Sequence, residues 1–155
     1  MQYWRPAIVT LMALFSSGYL YCSDAAPLGH QPDASIKENT MRVKMTIHQQ
    51  IFDVELYDNP AVTAWLKQLP LTLHMAELNG NEKFIDLADP LPINPQAPGL
   101  IQQGDLMLYG SKTLVLFYAT FPTSYRYTPL GKVIAPQMLA QSLGTQAATV
   151  TFSIP

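Results

Sequence analysis

Cysteine is almost missing from this chain: Cys22 is the single one in 155 residues. Charge is sparse as well. Asp, Glu, Lys and Arg make up 13% of the residues, and the formal balance is −2. There is no basic patch of the kind that neutralises phosphates, so nucleic-acid binding is excluded as a function class. Histidine is limited to His30, His48 and His74. None has a neighbour at metal-ligand spacing, so no metal site is expected, and no cofactor is implied. No Gly-x-Ser-x-Gly elbow is present. Gly110-Ser111-Lys112 lacks the upstream glycine of a phosphate-binding loop. Asp86 and Asp89 lie close together, but carboxylates at turns ordinarily cap and solvate them.

Long apolar runs are also missing. Residues 7–15 (AIVTLMALF) are apolar except for Thr10, follow Arg5, and precede Ser16, Ser17 and Gly18. Ser23 and Ala25 suit the positions three and one before a cut. Residues 1–25 therefore read as a secretory signal peptide cleaved after Ala25 or Ala26. A spanning helix needs about 20 apolar residues, and residues 7–21 fall short with polar interruptions. The competing readings are an uncleaved anchor and a lipoprotein modified at Cys22, which follows Tyr21 rather than a small residue. A cleaved chain is exported, periplasmic or secreted, with no stable membrane insertion. It retains no cysteine, so disulfides, thiol catalysis and Cys-based metal sites drop out. Residues 26–40 (APLGHQPDASIKENT) are polar and offer too little apolar surface to offset ordering. They read as a flexible leader.

What is abundant is hydrophobic area, 48% of the chain. Residues 41–155 suit one domain with one core. Met41, Val43, Met45 and Ile47 alternate with Arg42, Lys44 and Thr46, the period of a half-buried strand. Residues 51–57 return, with Val54 and Leu56 on one face and Asp53 and Glu55 on the other. Asn59 is a suitable helix N-cap and Pro60 a suitable first helical residue. Val62, Trp65, Leu66 and Leu69 then recur at helical spacing, with Pro70 as the stop. Asn79-Gly80 accepts the positive φ angles of a hairpin between strands at 71–78 and 82–87. Residues 88–99 carry four prolines and read as an irregular loop. Residues 105–109 and 113–120 form a hairpin across Gly110, residues 125–134 a further strand, 136–143 a second helix closed by Gly144, and 147–154 the last strand. About eight strands with two short helices suggest a closed barrel with helices at its ends.

Three stretches carry a family resemblance: residues 98–133, with a Gln102-x-Gly104-Asp105 turn, residues 56–69 (LYDNPAVTAWLKQL), and residues 71–84 (LTLHMAELNGNEKF). Together they resemble the bacterial cyclophilin-like domain proteins over residues 41–152. That resemblance implies a mainly β fold, the closed cyclophilin-like barrel of the peptidyl-prolyl isomerases. In active isomerases an Arg lies eight residues before the Gln and a Phe three residues before it. Here those positions are Asn94 and Gly99. The Arg lowers the barrier by donating to the prolyl nitrogen, and Asn94 carries no charge to do so. The expectation is a non-catalytic barrel that binds a small molecule or extended peptide. The alternative is an isomerase acting on envelope proteins. Gln102, Tyr109, Phe117, Tyr125, Arg126 and Tyr127 are the expected ligand-binding residues, with Tyr118 and Phe121 as further aromatic lining. Gln102 offers two donors and an acceptor, the rings offer apolar area, and Arg126 could grip a carboxylate or phosphate. Such a set suits a ligand with an apolar body and a polar or anionic end. Equally, the Gly104-Asp105 pair serves as a strand-entry turn and the rings as cross-strand packing.

Overall fold

The computed structural model describes residues 40–155. The expected signal peptide and leader, with Cys22 and His30, lie outside the described residues. Ten strands occur in the order β1 (Arg42–Ile47), β2 (Gln50–Leu56), β3 (Leu71–Leu78), β4 (Glu82–Asp86), β5 (Leu100–Ile101), β6 (Asp105–Tyr109), β7 (Thr113–Phe117), β8 (Phe121–Pro122), β9 (Thr128–Val133) and β10 (Ala148–Ser153). Helix α1 (Pro60–Leu66) follows β2. A 3-10 turn (Pro136–Met138) leads into α2 (Leu139–Leu143) ahead of β10. Eight strands close into an antiparallel barrel in the order β1-β10-β3-β4-β7-β6-β9-β2, while β5 and β8 pair separately. Closure leaves the barrel strands no free edge.

The period-two pattern seen in the sequence decides which side chains enter the barrel. Val43, Met45 and Ile47 on β1, Phe52, Val54 and Leu56 on β2, and Val150 and Phe152 on β10 are all buried in one core. Leu106 and Leu108 on β6, and Leu114 and Leu116 on β7, join them. The intervening residues of β6 and β7 face outwards, where Met107, Val115 and Phe117 form a second cluster with Ile101 and Tyr127. This explains why β7 is apolar on both faces: it is covered on both.

Helix α1 starts as its sequence dictates. Asn59 Oδ1 accepts from the Val62 amide at 3.0 Å, and Asn59 Nδ2 donates to the Pro129 carbonyl at 2.9 Å. The cap thus also ties the helix to β9. The helix stops at Leu66, not at the Leu69-Pro70 boundary that its periodicity suggests. The Gln68 and Leu69 amides bond to the Trp65 and Leu66 carbonyls, three residues back, which tightens the last turn. Leu69 still packs on the core.

Two glycines have a local reason. Asn79 (φ 56°) and Gly80 (φ 71°) place the β3–β4 turn in the left-handed region. Gly131 on β9 faces β2 so closely that a Cβ would stand 2.4 Å from the Glu55 carbonyl oxygen. Strand β9 also shifts register against β6 between Leu106 and Met107, beside Pro129, whose ring lacks the ladder donor.

Candidate functional site

The outer face of β4, β7 and β6 is not left to solvent. The chain from β8 to Tyr127 folds back over it, held where Thr123 N donates to Gly99 O (3.0 Å) and where Tyr127 and Gln96 exchange backbone bonds of 2.8 and 2.9 Å. The β5–β8 pair, Leu100 against Pro122 and Ile101 against Phe121, completes the clamp. These strands of two residues each are too short to show a period. The sequence reading therefore left residues 100–101 and 121–122 unassigned.

Between this clamp and the sheet lies a groove of about 500 Å³, within the roughly 300–1,000 Å³ of small-ligand sites. Its floor and walls are Phe84 and Val115 from the sheet, Tyr109 at the end of β6, and Phe121, Tyr125 and Tyr127 from the clamp. The rings meet edge to face, except Tyr109 and Tyr127, which are tilted at 54°. Tyr109 lies 6.1 Å from Tyr125 and 5.7 Å from Tyr127, centroid to centroid. Phe117 sits 5.4 Å from Tyr127 and 5.7 Å from Phe121. Tyr127 is buried, while Tyr109 is 47% and Tyr125 60% exposed at the mouth. Burial, then the nearby Glu82 carboxylate, push the Tyr127 phenol up, so it stays a neutral donor at physiological pH.

The six expected residues do not all share this groove. Tyr109, Tyr125 and Tyr127 come together on it. Phe117 is fully buried beneath, as support for the rings. Gln102 and Arg126 lie elsewhere. Gln102 Oε1 accepts from Lys132 Nζ at 2.6 Å, and the Gln102 backbone amide donates to Asp105 Oδ2 at 2.8 Å, which makes the strand-entry turn. Arg126 is not among the groove residues; its guanidinium donates to the Pro95 carbonyl at 2.7 Å. The anionic grip expected of Arg126 is thus not available in this groove. Tyr118 faces another way again, donating to Glu77 Oε1 at 2.7 Å. The Asn94 backbone amide donates to Thr128 Oγ1 (2.8 Å), and the residue lines a separate depression with Tyr57 and Gln96. His48 occupies the β1–β2 turn, and His74 on β3 lies 3.3 Å from Thr149 Oγ1.

Sequence reasoning missed the polar end of the groove. Asn79, Asn81 and Glu82, from the β3–β4 turn, line it beside the rings. The signal was available: Glu82 and Phe84 share one face of β4, the face opposite Lys83 and Ile85.

A family model described as the cyclophilin-like family matches residues 45–154. Among solved structures, this chain is similar to that of a hypothetical protein from Archaeoglobus fulgidus, determined in solution. The TM-score is 0.51 at 15% identity, over 75% of this chain and 95% of that one. At that identity the likeness is one of fold. No curated protein matches.

Proposed function

Because this chain belongs to the cyclophilin-like family, we propose that it uses the family's barrel as a binding scaffold. In this reading it is an exported, non-catalytic module that holds a small molecule or a short extended peptide in its aromatic groove. One observation carries the reading. An open groove of ligand size is lined by rings whose positions are fixed by a second apolar cluster behind them. Rings held this way offer apolar area at little entropic cost.

Backbone amide shifts during a metabolite screen test it. Perturbations should gather on Glu82, Phe84, Tyr109, Tyr125 and Tyr127, while Arg126 and Gln102 stay still. Shifts confined to the far face of the barrel would remove the groove from consideration. A proline-peptide isomerisation assay runs alongside. With Asn94 carrying no charge where the isomerases have Arg, the rate should stay at background. Strong acceleration would favour the isomerase alternative instead.

Export rests on residues 1–25, with the apolar run at 7–15 and Ser23-x-Ala25. Mass spectrometry of the secreted or periplasmic protein should find a mature N-terminus near Ala26. An intact Met1 or a lipid on Cys22 would contradict it.

A further inference from the structure

Glu82 is the one residue with a formal charge at neutral pH among the described residues that line the groove. It is half-buried, and its carboxylate has no hydrogen bond or ion pair among the described residues. A carboxylate so placed is ordinarily paired, because withdrawing a charge from water without a partner is costly. Its neighbour Lys83 is no partner: it faces the barrel interior, where Glu77 and the Gly144 and Gln146 carbonyls receive its three protons. Lys132 is engaged by Gln102 and Asp105, and Arg126 by Pro95. Beside Glu82, the side-chain oxygen of Asn81 is buried with no hydrogen-bond partner. Two acceptors without donors thus stand at one end of a groove lined by aromatic rings, whose faces carry negative π density. Burial, and then the charge of Glu77, push the Glu82 carboxyl above the usual carboxylate range. A cation seated on the carboxylate would offset both by stabilising its charged form.

We infer that the ligand of this groove carries a protonated amine, seated on Glu82 and Asn81 with its apolar body against Tyr109, Tyr125 and Tyr127. This rests on reading the groove as a binding site, and it names the chemistry of the occupant. Free small amines and the amino end of a peptide share that chemistry.

The test uses three probes of nearly one shape and different charge: 2-phenylethylammonium, 2-phenylethanol and 3-phenylpropanoate, each titrated against the domain by amide NMR. The ammonium should bind at least about tenfold more tightly than the other two. Glu82→Gln should remove most of that preference by weakening the ammonium far more than the alcohol, whereas Tyr125→Ala should weaken ammonium and alcohol alike. Without ligand, Glu82→Gln should raise the denaturant midpoint, since the fold alone gains nothing from an unpartnered carboxylate. Equal binding of all three probes, or preference for the carboxylate, would overturn the inference while leaving the groove as a binding site. Groove shifts with none of the three would overturn both. A lowered midpoint for Glu82→Gln would show a structural partner for the carboxylate and also defeat the inference. To separate the two sources, a short peptide with a free amino terminus is compared with its acetylated form. Preference for the free form supports a peptide amine, and binding of 2-phenylethylammonium alone supports a small amine.

Discussion

Glu77→Ala should destabilise this barrel by about 3–5 kcal/mol, the range for stranding a buried charge by removing its partner. Lys83 is fully buried. Its ammonium donates to Glu77 Oε2, to the Gly144 carbonyl at 2.9 Å and to the Gln146 carbonyl at 2.6 Å. It also lies 5.2 Å from the centre of the Tyr118 ring. The carbonyls satisfy its hydrogen bonds but not its charge, so loss of Glu77 leaves a cation in the barrel end with nothing to neutralise it. Tyr118 and the Gly80 amide lose their acceptor in the same step. Denaturant unfolding of the single variant measures the cost. The double variant Glu77→Leu, Lys83→Met removes both charges and should recover most of the loss. A single variant within 1 kcal/mol of the parent would mean that water reaches Lys83. The pair has an acid signature too. Burial alone would raise the Glu77 carboxyl, but the bonds from Lys83, Tyr118 and Gly80 outweigh it and hold the carboxyl below its ordinary value. Its stabilisation is therefore complete above the unfolded carboxylate range and is lost as pH falls through the lower, folded value. The parent should lose stability faster than Glu77→Leu, Lys83→Met on acidification.

Trp65→Ala should cost a similar amount, about 3–5 kcal/mol, by opening a cavity where α1 closes the barrel. The side chain is fully buried and its ring stands 5.1 Å from that of Phe152 at 73°. Its indole nitrogen is buried without an acceptor. Trp65→Phe discards that unpaired donor while filling part of the space, so it should cost far less than the alanine, about 1 kcal/mol. Equal losses for the two variants would show that the indole N–H has a partner after all. A loss under 1 kcal/mol for the alanine would place Trp65 at the surface.

What the sequence disclosed depended on the length over which a pattern runs. Residues 42–47 and 148–153 alternate long enough to declare both a strand and its inward face, and Asn59-Pro60 marks the start of α1 by cap chemistry alone. The β5–β8 pair offers two residues a side, with nothing to count. The Lys83–Glu77 pair escaped for another reason. Lysine is rarely fully buried, so composition argues for solvent, and only the alternation Lys83-x-Ile85 and Met75-x-Glu77 places both charges inside. The two residues then face each other across β3 and β4. The groove was half legible: the rings cluster in sequence, but Glu82 lies about thirty residues upstream and meets them only because β4 and β7 are neighbours. Arg126 lay next to the right tyrosines, but residues 125–126 are not strand, and its guanidinium turns to the Pro95 carbonyl instead.

The partition set by β7 also decides how this barrel can change. Leu114 and Leu116 belong to the interior cluster, Val115 and Phe117 to the outer one, so alternation along each strand separates foldedness from recognition. The same holds for Ile85 against Phe84, and for Leu108 against Tyr109. A library that varies Phe84, Tyr109 and Val115 while fixing their chain neighbours explores new ligands on a constant scaffold. Substitutions on opposite faces of the sheet should combine additively, since the sheet's backbone stands between them.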